Sequence, residues 1–383
     1  MLKHFASNGI TFLLVGLVLL VGMIGWGQNV YRGEGPLAEE VVVEVPRGAG
    51  LNQISDVLEK AGAISHPTIF RTGVRYSDIE DDLKFGVYAI PQGASMQQIA
   101  AMLVQGSAVS SRYRITYQVR QRGVNIRFQD LVQPVEDGAD QDALIAAALE
   151  SGAAIDFRVT VAEGLTSWET VEGLKKIDQL KGSFLEVPAE GSLAPDTYSF
   201  RAGDERAAIL GQMAAAQERI LAAAWEGKAA DLPINSPEEL LILASIVEKE
   251  TGVPEERRQV ASVFVNRLNR GMRLETDPTV IYGITKGEGP LGRGIRQSEL
   301  DAETPYNTYR IEGLPPGPIA NPGRAAIEAA ANPDSTPYVF FVADGTGGHA
   351  FAETNAEHER NVAAWRVIEA ERATQEEAAP AEN

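Results

Sequence analysis

A helical segment that is apolar on every side and then ends in carboxylates is the feature that most constrains this chain. It reads NSPEELLILASIVEKETGVPEE (residues 235–256). Residues that start and stop helices flank it: Ser236, Pro237 and Glu239 at the start, and Gly252 and Pro254 at the end. We expect Ser236 and Glu239 to form a capping box and Gly252 to end the helix. Residues 240–247 are apolar or small around the whole circumference, which predicts a helix buried inside the protein.

Two glutamates end this helix on different faces. At about 100° per residue, Glu248 lies on the stripe of the small residues Ala244 and Ser245, which leave room for a cleft. Glu250 lies nearly opposite, beside the bulky Leu243. A carboxyl group half-buried against apolar walls has a raised pKa and can donate a proton near neutral pH, as glycosidic cleavage requires. The geometry favours Glu248 as that acid. Two alternatives stay open: Glu250 is the acid, or both glutamates are solvated at a fraying helix end.

An uncharged segment near the amino terminus predicts a membrane anchor. Residues 9–27 read GITFLLVGLVLLVGMIGWG, which at about 1.5 Å per residue nearly matches a hydrocarbon core of about 30 Å. Lys3 precedes the segment and Glu34 follows it, which predicts a cytoplasmic tip over residues 1–8 and an exported body. A cleaved signal peptide is the alternative, but its apolar core is usually shorter and is followed by a small-residue cleavage site.

A pattern of strand, glycine turn and helix recurs along the chain. VPRGAGLNQISDVLEKAG (residues 45–62) and IPQGASMQQIAAMLVQG (residues 90–106) superimpose position by position, and VAEGLTSWETVEGLKK (residues 161–176) is a looser third copy. Two copies lie in residues 40–106, where we expect a small βααβ module of the LysM-like kind, which elsewhere binds glycan; a packing platform alone is the alternative. Residues 107–156 have the pattern of basic strands and an acidic helix that connect this module to the rest, and they give no functional interpretation.

The remainder of the chain, with the repeat, predicts an α+β fold. Residues 157–372 have the pattern of one larger unit, and residues 373–383 that of a disordered acidic tail. A hairpin is expected in TPYVFFVADGTGGHAF, and a turn in the segment TDPT (residues 276–279). The segments RLETDPTVIYGI and TPYNTYRIEGLPPGPIANPG are rich in Tyr, Asn, Thr and Asp. Such side chains suit a polyhydroxylated substrate, because aromatic faces stack on sugar rings and amides bond hydroxyls, although ordinary turns use the same residue types.

Composition and missing motifs exclude several other functions. The formal net charge of −19 argues against nucleic acid as a partner, because phosphate binding needs basic stripes. The chain has no cysteine, which excludes disulfides and thiolate metal sites. Its four histidines form no H-E-x-x-H motif, and the sequence contains neither a G-x-S-x-G elbow nor a Walker loop. We therefore expect neither a metal nor a cofactor.

Five successive motifs resemble those of the endolytic murein transglycosylases, the MltG (YceG-like) family. They read ASIVEKET, VASVFVNRL, GMRLETDPTVIYG, YNTYRIEGLPPGPIANPG and PYVFFVADGTGGHAF. The earlier EGSLAPDTYSF (residues 190–200) is similar to a further segment of that family, although residues 192–194 are small where the family commonly has aromatic residues. The resemblance covers about residues 40–370.

This resemblance implies a single-pass protein of the inner membrane with its body in the periplasm. It would be a carbon–oxygen lyase that cuts nascent peptidoglycan between N-acetylmuramic acid and N-acetylglucosamine, leaves 1,6-anhydromuramoyl ends and terminates strand elongation. The implied partners are nascent glycan strands, the inner membrane and membrane-bound peptidoglycan synthases. The resemblance implies Glu248 as the catalytic residue. The residues expected to bind substrate are Thr276, Asp277, Tyr282, Tyr306, Asn307, Thr308, Tyr309, Asp196 and Tyr198.

One carboxyl group suffices for this reaction. Glu248 would protonate the leaving oxygen and then, as a carboxylate, take the proton of the muramoyl 6-hydroxyl as that oxygen closes on the anomeric carbon. Asp277 is then expected to position the substrate rather than to attack it. A hydrolytic muramidase, which leaves reducing ends, is the alternative enzyme, and a catalytically silent wall-binding anchor is the alternative from another class.

Overall fold

The computed structural model describes residues 2–46, 48–106, 111–132, 135, 138–151, 155–183 and 186–378, with the backbone alone for residues 2–14, 373 and 375–378. The chain forms two compact units. The first holds the chain up to Ile115 together with Arg127–Asp156, and the second holds Thr116–Ile126 together with the chain from Phe157.

The first unit contains most of the repeat. Its elements are α1 (Leu2–Arg32), β1 (Val41–Val45), α2 (Leu51–Lys60), α3 (Pro67–Tyr76), β2 (Gly86–Ile90), α4 (Met96–Gln105) and α5 (Gln141–Glu150). Strands β1 and β2 pair antiparallel, with Val41 opposite Ile90. Leu58, Phe70 and Tyr88 are among the fully buried side chains of its core. The order β1, α2, α3, β2 is the βααβ order that the repeat predicts.

A left-handed glycine makes the same turn in all three copies of the repeat. Gly48, Gly93 and Gly164 have φ angles of 76°, 67° and 74°, a region that costs glycine little and other residues more. Each turn leads from a strand into a helix, and in the first two copies that helix packs on the strand before it. The third copy belongs to the second unit, where its turn lies beside the helix that carries the two glutamates.

The second unit combines a sheet with packed helices. The strands are β3 (Tyr113–Arg120), β4 (Gly123–Asp130), β5 (Ile155–Val161), β6 (Thr197–Phe200), β7 (Phe340–Ala343) and β8 (His349–Ala352). The helices are α6 (Ser167–Lys175), α7 (Arg206–Glu226), α8 (Pro237–Glu250), α9 (Arg257–Asn269), α10 (Asp277–Thr285), α11 (Gln297–Leu300), α12 (Arg324–Ala331) and α13 (Asn355–Ala378). One sheet has the order β4-β3-β5-β6, of which β3, β4 and β5 continue into residues of the first unit, and β7 pairs antiparallel with β8 as the predicted hairpin. Mixed helices and sheets confirm the α+β class.

Helix α8 is the buried centre of this unit, as its sequence predicts. Helices α7, α9, α10 and α12 pack around it, and every residue from Ile242 to Val247 is buried. The Ser236 hydroxyl accepts the N–H of Glu239 at 3.3 Å, which confirms the N-cap. The capping box is not closed, because the Glu239 carboxylate instead accepts the N–H of Asn235 at 2.6 Å.

The structure corrects three details of the predicted elements. Helix α8 ends at the extended Thr251 rather than at Gly252, and the Thr251 hydroxyl accepts the N–H of Val253 at 3.0 Å. The segment expected to be a turn at residues 276–279 begins helix α10 instead, since Asp-Pro suits the first helical positions. Helix α13 continues through residues 373–378 of the predicted disordered tail, because alanine and glutamate favour helix; residues 379–383 lie outside the described residues.

Among the residues that the structure describes, we find no helix that is both long and apolar enough to cross a membrane. The predicted span 9–27 begins in residues 9–14, whose side chains lie outside that description.

Close packing of helix α6 on strand β3 gives a stability prediction. A Cβ atom at Gly173 would lie 2.2 Å from Cγ1 of Val119, whereas a Cβ atom at Gly211 in α7 would meet no atom within 4 Å. We expect Gly173→Ala to lower the free energy of unfolding in urea by about 1–3 kcal/mol through overpacking. The control Gly211→Ala should raise it by about 0.5–1 kcal/mol, because alanine is the better helix former. Similar effects of the two substitutions would contradict this packing.

Candidate active site

Glu250 ends helix α8 as a half-buried carboxyl group among hydroxyl groups. Its Oε1 accepts a short hydrogen bond from the hydroxyl of Thr276. Burial raises the pKa of Glu250; the Thr276 hydrogen bond works against this and the neighbouring Asp277 adds to it. The charges of His349 and Arg267 lower it. The net raised pKa favours the protonated carboxyl, which is the form of a general acid.

Arg267 of helix α9 holds Thr276 in place through the residues before it. Its buried guanidinium donates to the carbonyl of Leu274 at 2.9 Å and to that of Val339 at 2.6 Å, and it pairs with Glu275 at 3.1 Å. Glu275 has a φ of 51°, a left-handed conformation that costs a non-glycine residue about 1–3 kcal/mol and persists only where surrounding contacts enforce it. This strained backbone therefore lies one residue before Thr276, whose hydroxyl donates to Glu250.

A buried threonine cluster (Thr276, Thr279 and Thr308) joins the two predicted substrate loops. The Thr276 N–H donates to the Thr308 hydroxyl at 3.0 Å, and the Thr279 and Thr308 hydroxyls lie 2.9 Å apart. Beside the cluster, the Tyr309 hydroxyl donates to Oδ1 of Asp277 at 2.8 Å. Burial raises the pKa of Tyr309, and the negative charges of Asp277 and Glu250 raise it further. Of the predicted site residues, Thr276 thus contacts Glu250, Asp277 and Tyr309 lie near enough for their charges to interact with it, and Thr308 supports Thr276.

Glu248 has a different environment, made of backbone and charged groups. Its Oε2 accepts the N–H of Gly323 at 3.0 Å. Burial raises the pKa of Glu248, the Gly323 hydrogen bond opposes this, and Glu163 raises it further. Arg257 lowers it, and lies 3.7 Å from the Glu163 carboxylate. A Cβ atom at 323 would lie 1.8 Å from Oε1 of Glu163, so a larger residue there would force the Glu163 side chain to move.

A third half-buried carboxyl group, Glu190, lies beside the aromatic pair Tyr282 and Tyr306. Glu190 accepts the N–H of Ser167 at 2.8 Å and is hydrogen-bonded to Tyr282. Burial raises its pKa, and the hydrogen bonds from Ser167 and Tyr282 oppose the shift. The rings of Tyr282 and Tyr306 have centroids 5.0 Å apart. Our sequence reasoning did not select Glu190, although it opens the EGSLAPDTYSF segment.

The other predicted site residues make local contacts. Asn307 is fully buried, and its amide donates to the carbonyls of Leu300 at 3.0 Å and Ala302 at 2.7 Å. Asp196 is exposed at the start of β6 and accepts the N–H of Thr197. The Tyr198 hydroxyl donates to the carbonyl of Ala194 at 2.8 Å. Asn307 therefore holds its own loop together, and contact of these three with a substrate stays a prediction.

The raised pKa of Glu250 predicts how stability changes with pH. The folded protein binds this proton more tightly than the unfolded chain, so the stability it contributes is full below the ordinary carboxyl pKa and is lost as pH rises through that value towards the raised one. Glu250→Gln removes this titration. Between about pH 4 and about pH 8 we expect the variant to lose less free energy of unfolding than wild type, by about 1.4 kcal/mol per unit of pKa shift.

Urea unfolding at several pH values measures this difference. Glu238→Gln is the control, since Glu238 is exposed and a hydrogen bond to Ser236 lowers its pKa; its stabilisation is present at high pH and is lost as pH falls, the opposite sign. Parallel stability curves for wild type and Glu250→Gln would contradict the burial of Glu250.

Comparison with known proteins places the chain in a family. A family model described as the YceG-like family matches residues 43–364. A Streptococcus pneumoniae protein named endolytic murein transglycosylase is 30% identical over 374 residues, and this chain spans 94% of its own length but 65% of that relative's. A Bacillus subtilis protein of the same name is 31% identical over 280 residues, covering 65% of this chain and 76% of that protein.

One solved structure is also similar. The crystal structure of a putative YceG-like protein from Listeria monocytogenes is 26% identical, covers 84% of this chain and 98% of its own, and superimposes with a TM-score of 0.44. The family match extends from strand β1 into helix α13 and includes every residue of the candidate site. This chain belongs to the YceG-like family.

Proposed function

We propose that this protein is an endolytic murein lytic transglycosylase, a carbon–oxygen lyase. It cuts nascent peptidoglycan strands between N-acetylmuramic acid and N-acetylglucosamine, forms 1,6-anhydromuramoyl ends and so terminates elongation. The single observation that carries the proposal is a carboxyl group, Glu250, whose pKa burial raises and which accepts a hydrogen bond from the hydroxyl of Thr276 beside Asp277 and Tyr309. The names of the two relatives, from a family to which this chain belongs, support the same activity.

The contacts of the two glutamates favour Glu250 over Glu248 as the acid. The Glu250 carboxyl contacts the hydroxyl of Thr276, and Asp277 and Tyr309 lie beside it, all three predicted from sequence to bind substrate. The Glu248 carboxyl accepts a backbone N–H, and two cations work against its raised pKa. The prediction of Glu248 as the catalytic residue stays a prediction, and the experiment below separates the two.

The reaction needs one proton carried by one group. Protonated Glu250 donates to the oxygen between the two sugars as the bond from that oxygen to the muramoyl anomeric carbon breaks. The muramoyl 6-hydroxyl oxygen then bonds to the same carbon, and its proton passes to the Glu250 carboxylate, which restores the acid. Water takes no part, so the product is an anhydro ring rather than a reducing end. The two-carboxylate arrangement of many glycosidases is not required.

The surrounding residues have separate roles in this proposal. Asp277 and Tyr309 hold each other at 2.8 Å and orient hydroxyl groups of the strand. The tyrosine pair Tyr282 and Tyr306 provides aromatic faces for sugar rings. The buried residues Thr308 and Asn307 support the loop that presents Tyr309. Asp196 and Tyr198, at strand β6, remain proposed contacts with the glycan.

Product analysis of matched variants tests the function and its catalytic residue together. We expect the full-length protein to produce internal 1,6-anhydro ends from isolated strands, detected by mass spectrometry. Glu250→Gln should lower this rate by about 10²–10⁴-fold, the usual contribution of a general acid, while Glu248→Gln stays within about tenfold of wild type.

Each other outcome has a definite meaning. Loss of activity in Glu248→Gln alone would restore Glu248 as the acid. Reducing ends in place of anhydro ends would make the protein a hydrolytic muramidase. Unaltered strands with the wild type would favour a wall-binding anchor without catalysis. Thermal melting of both variants checks that each one folds.

We further propose that helix α1 anchors the protein in the inner membrane, with the body in the periplasm. The support is a run of large apolar side chains that are each 48% or more exposed: Val15, Leu17, Val18, Leu19, Leu20, Val21, Met23, Ile24 and Trp26. The βααβ order of the first unit supports a LysM-like module that binds glycan. A partnership with membrane-bound synthases rests on the family resemblance alone.

Deletion of residues 2–27 tests the anchor. We expect the deletion to move the protein from the membrane pellet to the supernatant after cell lysis, because the exposed apolar run is removed. Deletion of residues 373–383 is the control and should leave the protein in the pellet. A truncated protein that still sediments with membranes would contradict the anchor.

A further inference from the structure

A cavity of about 400 Å³ lies in the second unit, beside the last turn of helix α8. It is formed where β3 ends in the turn to β4 and where β5 leads into the turn of the third repeat copy. Its polar lining consists of Gln118, Arg120, Gln121, Thr160, Glu163 and Lys249. The proposed reaction uses none of these side chains, and residues 118–121 belong to the region that the sequence left without a function.

Two cations face this cavity without a carboxylate partner. The Arg120 guanidinium donates to Oε1 of Gln118 at 3.0 Å, and the Lys249 ammonium donates to the carbonyl of Gly164 at 3.2 Å. Within the part of the chain that the structure describes, no acidic side chain lies within ion-pair distance of either. In a protein of net charge −19, two cations that line one cavity and form no ion pair suit a negatively charged ligand, although the Lys249 charge also lowers the pKa of Glu248.

The rest of the lining fits a ligand with amide groups. Gln118 and Gln121 offer both donors and acceptors, and Thr160 offers a hydroxyl group. The one acidic side chain in the lining, Glu163, faces Arg257 at 3.7 Å, so its charge is partly compensated. A short acidic peptide has both kinds of group: carboxylates that pair with the cations, and amides that bond the polar side chains.

The cavity is also next to the proposed chemistry. Lys249 stands between Glu248 and Glu250 on the last turn of α8. A Cβ atom at Gly164, another lining residue, would lie 3.5 Å from Cγ of Glu248. The cavity therefore lies on the Glu248 side of the last turn, and Lys249, which lines it, is the residue directly before the proposed acid Glu250.

We propose that this cavity binds the peptide stem that the muramoyl residue carries, with Arg120 and Lys249 receiving its carboxylates. The inference rests on the proposed function, since the stem is a substituent of that substrate. It makes the enzyme select strands that still carry stems, because a stem-free strand leaves both cations without their ligand. Arg120 and Lys249 are binding residues in this proposal and take no part in the proton transfer.

Kinetics on two forms of the same strands test this selection. Full-length protein is given strands with their stems, and strands from which an amidase has removed the stems. Arg120→Gln is compared with the control Arg122→Gln, which removes one exposed charge from the same hairpin outside the cavity. We expect Arg120→Gln to raise KM roughly three- to tenfold for stem-bearing strands. Arg120→Gln should leave KM for stem-free strands unchanged, and it should leave kcat unchanged for both kinds of strand. Arg122→Gln should change neither KM nor kcat on either kind of strand.

A binding measurement keeps this inference separate from the proposed function. The free stem tetrapeptide is titrated into full-length wild type, Arg120→Gln and Lys249→Gln by calorimetry, with binding expected for wild type and at least threefold weakening in each variant. If no strand is cut but the peptide binds in this way, the stem site stands and the transglycosylase fails. Equal KM changes on both kinds of strand, no change on either, or equal peptide binding by all three proteins would overturn the stem site.

Discussion

The burial of the middle of helix α8, at Leu240 and from Ile242 to Val247, is the constraint on which the rest of the second unit depends. A helix that is apolar all round needs a partner on every side, and α7, α9, α10 and α12 supply them. Its one buried hydroxyl group, that of Ser245, accepts the N–H of Ile319 at 3.1 Å and so fixes the Pro/Gly loop against the helix. The two ends of the helix are less buried, and at its last turn the chain places two acidic side chains at intermediate depth.

Depth alone does not separate the two glutamates, since burial raises the pKa of both. The groups around each glutamate differ, and these separate the two. Glu248 lies against the backbone of Gly164 and Gly323, two segments that pack on the end of the helix. Glu250 lies against the threonine cluster and the Asp277–Tyr309 pair, which a strained residue and a buried arginine hold in position. Rigid support around an acid and polar groups beside it are what a glycan-cleaving site needs.

Sequence patterns were enough for the elements that have strong periodicity or clear punctuation. The α+β class, the repeat, the buried helix and the hairpin are all present, because apolar spacing and turn glycines act locally. Helix α10 was missed because Asp-Pro begins helices and turns alike. The placement of Thr276 beside Glu250, and of Glu190 beside Tyr282, depends on how distant segments pack. The choice between Glu248 and Glu250 likewise depends on the loops that approach each face of α8, which the pattern of one helix does not specify.

The central claim is that the carboxyl group at 250 meets the oxygen of the scissile bond. The most direct measurement is a crystal structure of the full-length Glu250→Gln variant with an uncut glycan strand that carries its peptide stems. This account predicts that the oxygen between muramic acid and glucosamine lies within about 3 Å of the side chain at position 250, with sugar rings against Tyr282 and Tyr306. A strand whose scissile oxygen lies against Glu248, or one bound away from the end of α8, would contradict it.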